Sequence, residues 1–212
     1  MKKHSKFTTT AGNLYIIAAP SGAGKTSLVK QLLASTPQVE VSISHTTRPR
    51  RPGEQDGVDY YFVNTDTFQA LVQEGVFLEY ARVFDYYYGT SRYAVMERLR
   101  AGIDVILEID WQGARQVRAR TPKVYTIFIL PPSRAALRQR LQHRGQDAEA
   151  VIARRMQDAI NEISHFHEFD YIVINDNFDD DREALRAIFI ANRQLREVQV
   201  VRYRELLQVL LS

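Results

Sequence analysis

Cysteine is absent from the 212 residues. Disulfides, zinc thiolates and thiol nucleophiles are thereby excluded, and a cytoplasmic location is the natural expectation. Long apolar runs are missing too. No stretch approaches the roughly 18 apolar residues of a membrane span, so no membrane partner is expected. The basic start Met1-Lys2-Lys3-His4-Ser5-Lys6 has the charge of a signal peptide but not its apolar segment. Thr8-Thr9-Thr10-Ala11-Gly12-Asn13 is polar, and the apolar residues 14–19 are too few; a frayed tail is expected. Repeats, low-complexity tracts and interdomain linkers are likewise lacking, and the length suits one core with mobile excursions.

Lysine is scarce, with six against 22 arginines under a formal net charge of only +3. The planar guanidinium fork recognises phosphate and carboxylate in a bidentate way that an ammonium cannot. Solvated helix faces account for most of these arginines, so a pI near 9.1 is poor evidence for a nucleic-acid partner. Position along the chain must decide.

Short β-like runs alternate with amphipathic stretches, the pattern of an α/β fold with a mainly parallel central sheet. Residues 14–18 read as the first buried strand and 26–35 as the helix after it. Residues 105–109, 125–130 and 171–174 are further buried strands, with helices expected over 112–120, 134–144 and from about 182. Two segments break this rhythm. Residues 40–90 hold short Tyr- and Phe-rich strands around Pro52-Gly53 and Asp56-Gly57, suggesting a small antiparallel insertion. Residues 133–165 are arginine-rich helix interrupted at His143-Arg144-Gly145, with Asp147 placed to cap the next helix. The C-terminal positions Leu185, Ile188, Leu195, Val198 and Val201 keep helical spacing. Burial against the sheet is expected of them, and a helix that forms a homo-oligomer is the alternative left open.

Ala19-Pro20-Ser21-Gly22-Ala23-Gly24-Lys25-Thr26 lies between an apolar strand and a helix, the setting of a phosphate-binding loop. Glycines let successive amides turn toward phosphate oxygens, where the helix N-terminus also favours negative charge. Lys25 would reach the outer phosphates of ATP, and the Thr26 hydroxyl would ligate Mg²⁺. Ala19 stands where the strict pattern has Gly. Nucleotide binding follows from this loop; the choice among kinase, GTPase and ATPase does not.

Arg48 and Arg51, three residues apart with Tyr60 soon after, could grip one phosphate; a basic surface loop closed by Pro52-Gly53 is an equal reading of those residues alone. Glu79 alone reads as a surface ion pair. Glu108 and Asp110, two apart at a strand end, would project to one face where α/β sheets place ligands. Asp110 could hold the hydration shell of Mg²⁺ and Glu108 could orient Lys25, while capping of the helix at Trp111 is the structural alternative.

Taken with the phosphate loop, these segments closely resemble the guanylate kinase family over almost the whole chain. The family's Ser-x-Thr-Thr-Arg-x-x-Arg-x-Gly-Glu is matched at Ser44, Thr46, Thr47, Arg48, Arg51, Gly53 and Glu54, and its Gly-x-x-Tyr-x-Phe at Gly57, Tyr60 and Phe62. Residues 77–79, 87–90, 107–113, 131–133, 140–145 and 174–176 are similar to further family blocks in the same order. Arg50 stands where the family often has Pro.

The resemblance implies a P-loop kinase that phosphorylates GMP with ATP and Mg²⁺. It implies a core of about 1–43, 94–132 and 167–212, a small mixed α/β GMP-binding insertion of about 44–93, and a helical lid of about 133–166. Arg48, Arg51, Tyr60 and Tyr88 would hold the GMP phosphate. Ser44, Glu79 and Thr90 would face guanine, and Glu108 and Asp110 would complete the acceptor site. Asn175 would contact the ATP ribose or base. Lys25, Arg48 and the lid arginines Arg140, Arg144 and Arg155 are the candidate catalytic residues, since arginines arriving with a closing lid stabilise migrating charge and exclude water. Competing readings are a kinase of another phosphorylated acceptor, such as a ribose bisphosphate, and a non-catalytic module that binds phosphopeptides. The guanine-facing trio opposes the first; Lys25, Thr26 and the lid arginines oppose the second.

Overall fold

The computed structural model describes residues 12–83, 85–121, 123–143 and 149–212. The basic tail, Arg144, Gly145 and the expected cap Asp147 lie outside the described residues.

Five strands form a wholly parallel sheet in the order β2-β7-β1-β8-β9: β1 Leu14–Ala18, β2 Val39–Val41, β7 Asp104–Leu107, β8 Tyr125–Leu130 and β9 Tyr171–Ile174. Every residue of β1 is buried, because successive side chains enter two different cores. Tyr15 and Ile17 pack with Leu28, Leu32, Leu185 and Phe189 from helices α1 (Lys25–Ser35) and α7 (Phe178–Arg193). Leu14 and Ile16 pack with Val95, Leu99, Ala114 and Val117 from α3 (Arg92–Arg100) and α4 (Trp111–Arg120). Burial on both faces explains why β1, β7 and β8 read as continuous apolar runs, whereas β9, expected to be buried, lies at the sheet edge and leaves Ile172 and Ile174 exposed.

The insertion forms a second sheet in the order β4-β3-β6-β5, from β3 His45–Thr46, β4 Tyr61–Phe62, β5 Phe77–Val83 and β6 Tyr86–Ser91, with α2 (Thr65–Gln73) beside it. It is mixed rather than antiparallel: β3 and β4 run parallel while the other pairings are antiparallel. A helical pair, α5 (Arg134–His143) and α6 (Glu149–Ile163), packs through Leu137, Leu141 and Ala159. A 3₁₀ turn at Phe166–Glu168 follows. There His165 stacks on Trp111 with ring centroids 3.7 Å apart, which pins the end of α6 to the start of α4.

Three boundaries differ from the sequence reading. β7 stops at Leu107, so Glu108 and Asp110 belong to the connection after it. α7 begins at Phe178 rather than near 182, because Asn177 caps it and Asp179, Asp180 and Asp181 favour its positive end. Of the C-terminal apolar positions, Leu185 and Ile188 pack with Phe189 against the sheet and Val198 is half-buried. Leu195 and Val201 are exposed, as are Leu206, Val209, Leu210 and Leu211 around α8 (Arg196–Arg202) and α9 (Arg204–Leu211).

One buried ion pair closes the sheet's lower end. Asp104 accepts from the Asn13 amide at 2.7 Å and from Arg193 Nε at 2.8 Å, while Arg193 Nη2 also donates to the carbonyls of Pro37 and Gln38. Asp104 is 3% exposed. Truncating its partner leaves a buried carboxylate unpaired, the costly way to break such a pair. Arg193→Met should therefore lower the unfolding free energy by about 2–4 kcal/mol. Adding Asp104→Asn should recover part of that loss. Urea titrations check both, with a fall in midpoint at constant slope as the expected result.

Candidate active site

β1 delivers the chain to the phosphate loop at the carboxyl end of the sheet, where the strand order reverses and α/β folds place ligands. Gly22 and Gly24 have φ of 89° and 90°, the left-handed region that a side chain resists. Space forbids one as well. A Cβ on Gly22 would meet Leu137 and Leu141 of α5 at 3.1 Å, and one on Gly24 would collide with the Asn175 amide. The Ala23 carbonyl accepts from Asn175 Nδ2 at 2.5 Å and from Arg140 Nη1 at 3.3 Å. Arg140 Nη2 also donates to the Asn175 carbonyl at 2.9 Å. Because a trans peptide sets C=O and N–H on opposite sides, drawing this carbonyl outward turns the next amide inward. Asn175 and Arg140 thus brace the loop from outside. Pro20 and Ala23 are buried and Thr26 is exposed, while Lys25 Nζ lies 3.9 Å from Glu108 Oε1.

Beside the loop lies a cavity of about 320 Å³, which brings together Ala19, Ser21, Lys25, Ser44, Tyr60, Glu79, Tyr88, Glu108 and Asp110. Glu79 on β5 and Thr90 on β6 are cross-strand partners, and the Thr90 hydroxyl donates to Glu79 Oε1 at 2.5 Å. The Ser44 and Thr90 hydroxyls are 3.2 Å apart. The three form one hydrogen-bonded set. Gly113, in the first turn of α4, leaves room for the carboxylate: a Cβ there would sit 2.8 Å from Glu79 Oε2. Glu79 is 2% exposed. Burial pushes its carboxyl up to about 7, with Asp110 adding to the push and the Thr90 hydrogen bond opposing it.

Glu108 and Asp110 both line the cavity, but not by strand alternation, since neither lies in β7. Asp110 caps α4, accepting from the Gly113 amide at 2.9 Å. The capping alternative was correct, and it coexists with cavity lining. Glu108 Oε1 is buried without a hydrogen-bond partner among the described residues. Arg48 is buried behind Tyr60, with its guanidinium 5.5 Å from that ring, and donates to Glu54 at 2.7 Å. The other oxygen of Glu54 accepts from the Arg51 amide at 2.8 Å. The Arg51 side chain lines a second cavity of about 380 Å³, with Arg154, Arg155, Asp158 and Asp85. Arg48 and Arg51 are therefore tied through Glu54 while their side chains serve different surroundings. Arg144 lies outside the described residues.

The sequence reading missed Glu162. This residue lines both cavities, as does Ser21, and its Oε2 accepts from the Ser21 amide at 3.2 Å. Burial pushes its carboxyl up to about 7, with Asp110 and Asp158 adding and the Ser21 amide and Lys25 opposing. The spacing of Arg155, Asp158 and Glu162 places them on one helix face, a signal that was there to be read.

A family model described as guanylate kinase matches residues 11–192. The chain is 58% identical to the guanylate kinase of Alkalilimnicola ehrlichii over 201 residues, covering 95% of this chain and 99% of that one. It is also 58% identical to the guanylate kinase of Nitrosococcus oceani over 202 residues, covering 95% and 100%. Among solved structures, guanylate kinase from Anaplasma phagocytophilum superimposes with a TM-score of 0.76 at 30% identity, covering 94% of this chain and 95% of that one.

The buried carboxyl of Glu79 has a consequence for stability. Between the ordinary glutamate range and about 7 the native protein keeps a proton that the unfolded chain releases, so this group's contribution declines as pH rises through that window. Glu79→Gln keeps an acceptor for Thr90 and abolishes the titration. Its stability advantage over the wild type should grow from near zero at pH 5 to on the order of 2 kcal/mol at pH 8. Urea midpoints across that range check it, and a pH-independent difference would count against buried charge as the cause.

Proposed function

The chain belongs to the guanylate kinase family, and on that footing we propose that it transfers the terminal phosphoryl group of ATP to the phosphate of GMP, giving ADP and GDP. The observation that carries the reading is the hydrogen-bonded set Glu79–Thr90–Ser44, of which Glu79 and Ser44 line the same cavity as Lys25. Guanine offers N1–H and a 2-amino group side by side, and a single carboxylate can accept from both. Its O6 takes a hydroxyl donor, which Ser44 or Thr90 supplies. Adenine would turn an N1 lone pair toward the same carboxylate and bring no 2-amino group, leaving a buried acceptor unpaired.

Tyr60, Tyr88, Arg48 and Arg51 hold the GMP phosphate, the two arginines steadied by Glu54. The phosphate loop cradles ATP through its amides, and Lys25 neutralises the outer phosphates. A phosphate oxygen of GMP attacks the terminal phosphorus in line, the bond to the bridging oxygen breaks, and ADP leaves without a covalent enzyme intermediate. Arg140, Arg144 and Arg155 stabilise charge on the migrating group. The pair α5–α6 acts as the lid that keeps water from competing, the second sheet as the acceptor insertion, and the parallel sheet as the core. Asn175, beyond bracing the loop, stands near the ATP nucleoside.

Mg²⁺ fits the donors present. The Thr26 hydroxyl and Asp110, with Glu108 nearby, offer oxygen ligands to a hard cation. Among the described residues no three acidic or histidine side chains form a metal cage, and an ion held mainly by phosphates and water needs none. When bound, it supplies neutralisation of the triphosphate. No helix of the described residues is long and apolar enough to cross a membrane. A cytoplasmic setting matches both substrates.

A coupled assay of ADP formation across GMP, AMP, CMP and UMP tests the substrate. GMP should exceed AMP by at least about a thousandfold in kcat/KM, and comparable AMP turnover would end the assignment. Glu79→Gln should slow GMP turnover about a hundredfold with little change in ATP affinity. Because guanine needs the ionised carboxylate, wild-type kcat/KM for GMP should rise as pH climbs through about 7. Lys25→Ala should retain less than about a tenth of wild-type kcat/KM while remaining folded by circular dichroism.

A further inference from the structure

Glu162 sits in the last turn of α6, on the helical pair rather than on the core. Its carboxylate accepts from a backbone amide of the phosphate loop, that of Ser21. An amide of this loop is the kind of donor that a nucleotide phosphate requires. A side-chain anion therefore stands on a donor that belongs to the ligand. Its position is also shared. Ser21 and Glu162 line both the Lys25 cavity and the cavity of Arg51, Arg154 and Arg155, so their hydrogen bond stands where the two meet. The surroundings are already rich in carboxylates, with Glu79, Glu108 and Asp110 lining the Lys25 side and Asp158 the other. A triphosphate arriving here meets repulsion from Glu162 as well as competition for the amide.

We propose that Glu162 is a lid-borne placeholder for nucleotide phosphate: it occupies the Ser21 amide in the free enzyme and is displaced by ATP, which ties the seating of α6 to occupancy of the loop. This inference rests on the kinase reading above and assigns one further positioning residue to the donor site. The coupling has a route. One turn before Glu162, α6 packs through Ala159 on Leu137 and Leu141 of α5, and those two leucines lie against Gly22 of the same loop. Freeing Glu162 thus alters the contact of the helical pair with the loop from two sides at once. Ligands that make few loop contacts gain too little to expel the carboxylate, whereas a triphosphate gripped along the whole loop gains enough.

Two variants and two ligands test it. Glu162→Gln keeps the shape and a weaker acceptor but removes the charge; Glu162→Ala removes both. Calorimetric titration with a non-hydrolysable ATP analogue and, separately, with GMP gives the affinities, and thermal melts confirm that each variant is folded. The expected result is ATP-analogue binding at least about fivefold tighter in both variants, with GMP affinity moving less than about twofold. Unchanged or weaker analogue binding in both variants overturns the proposal and makes Glu162 a support of the loop. Equal tightening for both ligands also overturns it, since Glu162 would then be one more charge in an acidic cavity. Wild-type turnover of GMP, measured alongside, reports on the kinase reading independently.

Discussion

The orientation of a few backbone amides is the constraint on which this structure depends. A phosphate loop must hold its N–H groups inward before any anion arrives, and an unsupported loop of glycines would not, because glycine has the most conformational freedom to lose. Two elements from distant parts of the sequence share the work. Asn175 after β9 and Arg140 on α5 draw the Ala23 carbonyl outward, and Leu137 and Leu141 fill the space beside Gly22. The parallel sheet matters because it brings the ends of β1, β7 and β9 to the same edge.

Charge is distributed against naive expectation. Phosphorylated ligands call for a basic site, yet Glu79, Glu108, Asp110 and Glu162 all line the cavity that holds Lys25. Each carboxylate has a separate reason. Glu79 accepts from the Thr90 hydroxyl, Asp110 caps α4, Glu108 faces the lysine, and Glu162 sits on a loop amide. The arginines are kept apart, with Arg48 held by Glu54 and Arg51 and Arg155 lining the neighbouring cavity.

Much of this was legible in the sequence, for reasons that differ by element. The strands β1, β8 and β9 have the bounds read from their apolar runs, although only β1 and β8 are buried on both faces and the edge strand β9 leaves Ile172 and Ile174 exposed. The two-residue strands β3 and β4 carry no period, so their parallel pairing could not be seen. The start of α7 was hidden because three aspartates read as loop when they are the first turn of a capped helix. Leu195 and Val201 kept helical spacing without a surface to cover, which pattern alone cannot report. At the site, the loop spoke for itself, whereas the grouping of Ser44, Glu79 and Thr90 came from resemblance. No local pattern joins residues so far apart in the chain. Glu162 shares a helix face with Arg155 and Asp158, which spacing could have shown, but its partner is a main-chain amide that no side-chain pattern announces.

The central strand also sets a schedule for synthesis. β1 leaves the ribosome well before its neighbours in the sheet: Leu14 pairs with Val105, and Tyr15 with Tyr125. At a translation rate of roughly 5–20 residues per second, this wholly apolar segment waits on the order of 5–20 seconds for a partner strand. During that interval α1 can cover one face only. One apolar face of β1 thus stays uncovered in the nascent chain by topology alone, and the parallel order that serves the phosphate loop in the finished enzyme is what delays its assembly.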